Sequence, residues 1–106
     1  MQKFSHQRRK ATSRKKAYEK KLKAQLDEWG KEIEKLKLKA DKAKAEQQLK
    51  YYKILEELKA KQKTAAKKLQ ELKDTGEDAW EDLKTGIEKA WNALGEAVKA
   101  AVSKFR

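Results

Sequence analysis

Leucine, isoleucine, tryptophan and alanine return along this chain at intervals of three and four residues, with lysine, glutamate and glutamine between them. From Leu22 the stripe runs Leu22, Leu26, Trp29, Ile33, Leu36, Ala40 and Ala43, three heptads of one helix face. It continues as Gln47, Tyr51, Ile54, Leu58, Gln62 and Ala65, where eleven residues rather than seven restore the phase. Heptads then resume through Leu69 and Leu72. Heptads favour left-handed winding and eleven-residue repeats slightly right-handed winding, so the mixture predicts a nearly straight rod. Acids four residues before a lysine support the helix at Glu19/Lys23, Asp27/Lys31, Glu46/Lys50 and Glu57/Lys61, each by a few tenths of a kcal/mol. Gly30 weakens the pattern by about 1 kcal/mol relative to alanine without enforcing a break. The reading is one helix over 18–73, about 84 Å long at the standard rise. Folding back into a hairpin would require a turn near 39–47, where neither glycine nor proline offers one.

The next boundary is Lys73-Asp74-Thr75-Gly76-Glu77-Asp78. Gly76 can end the long helix, and Thr75 with Asp78 resembles an N-terminal capping pair for the next, so 74–78 is read as a hinge or bend. Uninterrupted helix is the rival, because the stripe stays in phase from Leu72 through Gly76 to Trp80. Beyond it, Trp80, Leu83, Ile87, Trp91, Leu94, Val98, Val102 and Phe105 are spaced 3-4-4-3-4-4-3, two eleven-residue repeats. Residues 79–106 therefore form an amphipathic helix, its apolar face widened by Ala79, Gly86, Ala90, Ala97 and Ala101. Such a face can pack on protein or lie at a lipid surface.

Composition agrees with helix. Hydrophobic residues make up 38% and charged residues 43%, too polar for an ordinary globular core, and proline is absent from the sequence. That polarity also fits a disordered chain, but a solvated chain has no reason to keep the stripe. Lacking cysteine, the protein has no disulfide, thiolate metal site or cysteine nucleophile. No run approaches the roughly 18 apolar residues of a membrane span, and no apolar secretion signal opens the chain. The expectation is a cytoplasmic protein, soluble or peripheral to a membrane.

Charge divides the chain. Residues 1–21 carry nine Lys or Arg against the single Glu19, residues 22–73 fifteen against nine acids, and residues 74–106 five against seven, within a net charge of +12. Residues 1–17 are read as a basic arm, frayed to about residue 14 for want of apolar anchors. Its Arg8, Arg9, Lys10, Arg14, Lys15 and Lys16 are candidates for contact with nucleic-acid phosphates or anionic lipid, since clustered cations displace counterions from either. A solvated tail of no specificity is the plainer reading.

Enzymatic chemistry lacks parts. His6 is the sole histidine and sits in the arm, without a second histidine or a cysteine to complete a metal site or nucleophile–base pair. Neighbouring carboxylates such as Asp27/Glu28 and Glu56/Glu57 read as surface charge, and the isolated glycines make no phosphate loop. No catalytic residue, cofactor, metal or small-molecule substrate is expected.

Ala17-Tyr18, Lys21 through Trp29, Glu77 through Lys84, Ala90-Trp91 and Phe105 resemble a family of small bacterial coiled-coil stress-response proteins, related to a stress-induced cyanobacterial protein. The resemblance covers about residues 17–106. It implies helices, a bacterial cytosolic setting and a link to stress, and it supplies no active site.

The expected fold is therefore all-α: a long heptad and hendecad helix plus a C-terminal amphipathic helix, assembled as a coiled-coil or helical-bundle oligomer. Self-association would use Leu22, Leu26, Trp29, Ile33, Leu36, Ile54, Leu58, Leu69 and Leu72 of the seam. Trp80, Leu83, Ile87, Trp91, Leu94, Val98, Val102 and Phe105 of the terminal face would join them. The first functional reading is a non-enzymatic, stress-associated scaffold or interaction protein acting as a homo-oligomer. Others are a peripheral binder of anionic membranes and a sequence-indifferent nucleic-acid binder working through the arm.

Overall fold

The computed structural model describes the backbone of residues 2–76 and 78–105, and within those ranges the side chains from residue 14 onward. Every regular element among them is helical. Helix α1 spans Gln2–Lys42, α2 spans Ala45–Asp74, and a 3-10 turn at Trp80–Leu83 leads directly into α3, Lys84–Lys104. Together they form an elongated bundle measuring 66 × 22 × 18 Å. At the standard rise α1 alone is about 60 Å long, so it runs nearly the whole length.

The single helix expected over 18–73 is broken at Ala43 and Lys44, and α2 folds back along α1. The turn needs no glycine because no residue in it takes a positive φ. Lys44 goes extended, at φ −65° and ψ 152°, and α2 starts at once with Gln48 N–H donating to the Lys44 carbonyl at 2.7 Å. Around it, Ala43 N–H donates to the Ala40 carbonyl and the Gln48 side-chain amide to the Asp41 carbonyl. Tyr52 hydroxyl donates to Asp41 Oδ1 at 2.6 Å. One extended residue costs little beside the apolar area that the reversal buries.

Folding back also explains the irregular stripe. In α2 the buried positions are Leu55, Leu58, Ala65, Leu69 and Leu72, with Tyr51 partly buried, which is heptad spacing throughout. Leu55 takes the place expected for Ile54, and Gln47 is exposed; the shift in phase near residue 45 is the turn itself. In α3, Ile87, Trp91, Leu94, Val98 and Ala101 are buried, as is Phe105 at its C-terminal cap, while Val102 is only partly so. In the second eleven-residue repeat, small Ala101 therefore carries the contact in place of Val102, and the spacing from Trp91 onward is heptad. Three heptad stripes turned to one axis make a single core, from Leu22, Ile33 and Leu36 of α1 to Leu94 of α3 and Phe105 just beyond its end.

The arm expected to fray is helical from Gln2, consistent with a run of Lys, Arg, Gln and Ala that meets no glycine before Gly30. The four acid-to-lysine pairs expected to brace the flanks are not those formed; among the described residues the ion pairs join Lys15 to Glu19, Lys35 to Glu32 and Lys68 to Glu71. At the 74–78 boundary α2 ends at Asp74. Thr75 serves the helix behind it rather than the one ahead, its hydroxyl donating to the Glu71 carbonyl at 2.6 Å. Gly76 does not adopt the left-handed conformation of a helix-ending glycine.

Candidate interaction surfaces

The residues assigned to self-association meet inside one chain. Leu22, Ile33, Leu36, Leu58, Leu69, Leu72, Trp80, Ile87, Trp91, Leu94, Val98 and Phe105 are buried, and Leu26, Trp29, Ile54, Leu83 and Val102 pack partly buried against them. Trp91 Nε1 donates to the Leu22 carbonyl at 3.3 Å. Trp29 lies over Gly95, where a Cβ would come within 3.0 Å of its ring. Tyr51 stacks on Phe105 with centroids 4.1 Å apart. Most of the seam and of the α3 face is thus turned inward, while Leu26, Trp29, Ile54, Leu83 and Val102 stay partly exposed.

The candidate polyanion residues divide. The side chains of Arg8, Arg9 and Lys10 lie outside the described residues, as does that of His6. Arg14 and Lys16 are exposed. Lys15 is not: it is 9% exposed, and its ammonium donates to the main-chain carbonyls of Lys73 and Thr75. Those carbonyls belong to the unsatisfied C-terminal end of α2, where a cation is favoured by both hydrogen bonding and the helix dipole. Lys15 is a structural cap. Its contact also fixes register, because α1 residues before it continue past the end of α2.

Beside that point a cleft of about 420 Å³ is lined by Arg14, Tyr18, Lys21, Trp80, Glu81 and Lys84. Lys84 Nζ stands 4.8 Å from the Trp80 ring centroid and 5.6 Å from that of Tyr18, so this cation is already held against aromatic faces. The Tyr18 hydroxyl is buried without a hydrogen-bond partner, and burial first, then the nearby Glu88 carboxylate, raises its pKa above the ordinary tyrosine value. Tyr52 titrates high as well, chiefly because it donates to Asp41.

A larger groove, about 900 Å³, runs between α1 and α2, and no residue of α3 lines it. Leu26, Ile33 and Ala66 lie along it with Gly30 and Gln62, while Lys31, Lys37, Lys59 and Lys63 stand with Asp27 and Glu34 on its edges. Sequence reading missed both this groove and the Lys15 cap, since each exists only once the chain reverses. Among the described residues no group of His, Cys, Asp or Glu could hold a metal ion, and no helix is long and apolar enough to cross a membrane. No known family, curated protein or solved structure matches the chain.

Proposed function

We propose that this protein is a non-enzymatic interaction protein that binds nucleic acid through its phosphates, without reading sequence, using the N-terminal part of α1. The observation that carries this reading is the register set by Lys15. The bundle uses its apolar stripes on itself, and α1 runs on past α2 as a helix bearing Lys3, Arg8, Arg9, Lys10 and Arg14 without an acid. A cationic helix of this kind can lie along a polyphosphate backbone and gain affinity by releasing counterions. Exposed Lys16, Lys20, Lys21 and Lys23 extend the same charge along the bundle.

Binding to duplex DNA and RNA at several salt concentrations tests this. Replacing Arg8, Arg9, Lys10 and Arg14 together by glutamine, with Lys15 kept, should weaken binding equally for unrelated sequences. It should lower the slope of log affinity against log salt by up to about 3.6 on duplex DNA, at about 0.9 per phosphate contact. Helix content should stay the same. An unchanged slope, or strong selectivity between sequences, would contradict this assignment.

A further inference from the structure

The α1–α2 hairpin has two broad faces, and α3 covers one of them. We propose that the other face, where four lysines flank an apolar groove left open by Gly30 and Ala66, docks an acidic amphipathic helix of a partner protein. The groove follows α1 over 26–37 and α2 over 59–66, which is about three helical turns or 16 Å along α1. Gly30 contributes no side chain to fill it, and only the Gln62 amide approaches there, 3.3 Å from where a Cβ would stand. Leu26 and Ile33 are the apolar ground beneath, half-buried and buried respectively.

Charge selects the occupant. Lys31, Lys37, Lys59 and Lys63 are all exposed, and none pairs with an acid among the described residues. Asp27 and Glu34 are the acids beside them, so the edges carry excess positive charge. A phosphate strand would neutralise the lysines but leave the apolar ground wet, whereas an amphipathic helix with glutamates flanking a leucine stripe satisfies both. The hairpin already accepts an amphipathic helix, α3, on its first face. Docking on the second face would complete a four-helix arrangement without disturbing the core.

The probe is a fluorescein-labelled, end-capped peptide of about four turns with leucines at helical spacing and glutamates on both flanks, titrated against the full chain by anisotropy. A peptide of the same composition with scrambled leucines and a single-stranded oligonucleotide serve as comparisons. Binding of the ordered peptide is expected to fall at least tenfold with Ala66→Trp, which fills the groove from an exposed position. A similar loss is expected with Lys59→Glu and Lys63→Glu together, while Arg8→Gln with Arg9→Gln should change only oligonucleotide binding. Circular dichroism confirms that each variant keeps its helix. The proposal is overturned if the ordered peptide does not bind, if the scrambled one binds as well, or if Ala66→Trp leaves binding intact. Because the arm substitutions are read separately on the oligonucleotide, failure here is distinct from failure of the phosphate-binding assignment.

Discussion

Lys15 of α1 donates its ammonium to the main-chain carbonyl of Thr75, sixty residues further along the chain, and so ties the end of α2 to the helix that carries the basic arm. The bond is charge-assisted and lies in a nearly buried position, with Glu19 3.9 Å away as a counter-charge. Lys15→Ala leaves the α2 carbonyls without this donor and should cost about 1–2 kcal/mol in denaturant unfolding. Its exposed neighbour is the control: Lys16→Ala should stay within about 0.5 kcal/mol of the parent. Equal effects of the two substitutions would remove the cap from the account.

Tyr18 should respond in the opposite sense. Its hydroxyl is buried and unpartnered, so Tyr18→Phe removes an unsatisfied group without opening a cavity and should leave stability unchanged or raise it by up to about 1 kcal/mol. A pKa raised in the fold means that the folded chain holds this proton more tightly than the unfolded one. The stability it contributes is complete below the ordinary tyrosine value of about 10 and is lost as pH rises through the folded value. Unfolding curves from pH 8 to 11 should therefore fall more steeply above pH 10 for the parent than for Tyr18→Phe.

The helical character of the chain and the apolar stripe along it were legible from spacing alone, because a period near 3.6 survives any tertiary arrangement. The reversal at Lys44 was not. Glycine and proline mark turns that need positive or fixed φ, and this turn has no positive φ and an extended Lys44, a conformation that lysine adopts freely. Spacing of bulky residues favours Ile54 and Val102, whereas the bundle buries Leu55 and Ala101 more deeply and keeps heptad spacing there. Among candidate site residues, exposed Arg14 and Lys16 are where a basic stretch should leave them. Lys15 could be assigned to the α2 terminus only from three-dimensional register.

The glycines separate two kinds of close approach. At Gly95 the Trp29 ring leaves no room, so Gly95→Leu should force that ring aside and cost about 1–3 kcal/mol. At Gly30 only the end of the flexible Gln62 side chain is near, and Gly30→Ala should stabilise the helix by about 0.5–1 kcal/mol. Thermal unfolding of the two variants checks both signs.

Leucine or tryptophan identity alone should not forecast the cost of truncation. Trp91 is 4% exposed and bonded to α1, and Trp91→Ala should cost about 3–5 kcal/mol. Leu49 is 74% exposed, and Leu49→Ala should fall within about 0.5 kcal/mol of the parent. A rod paired through the stripe expected from the sequence offers no reason for Leu55→Ala to exceed Ile54→Ala. The bundle buries Leu55 more deeply, so Leu55→Ala should cost the more of the two.

The reversal of the chain at Ala43 and Lys44 underlies the shared core, the Lys15 cap and the open groove, and one distance tests it. The sequence contains no cysteine, so Lys20→Cys and Gln70→Cys, both at exposed positions, can carry a pair of spin labels without background. Double electron–electron resonance on labelled protein diluted into unlabelled chains reads the separation within one molecule. Neighbouring antiparallel helices at 8–10 Å should place the labels about 15–25 Å apart once their linkers are included. A single unbroken helix would place them about 75 Å apart, fifty residues at the standard rise, and a distance of that order would contradict the folded-back bundle.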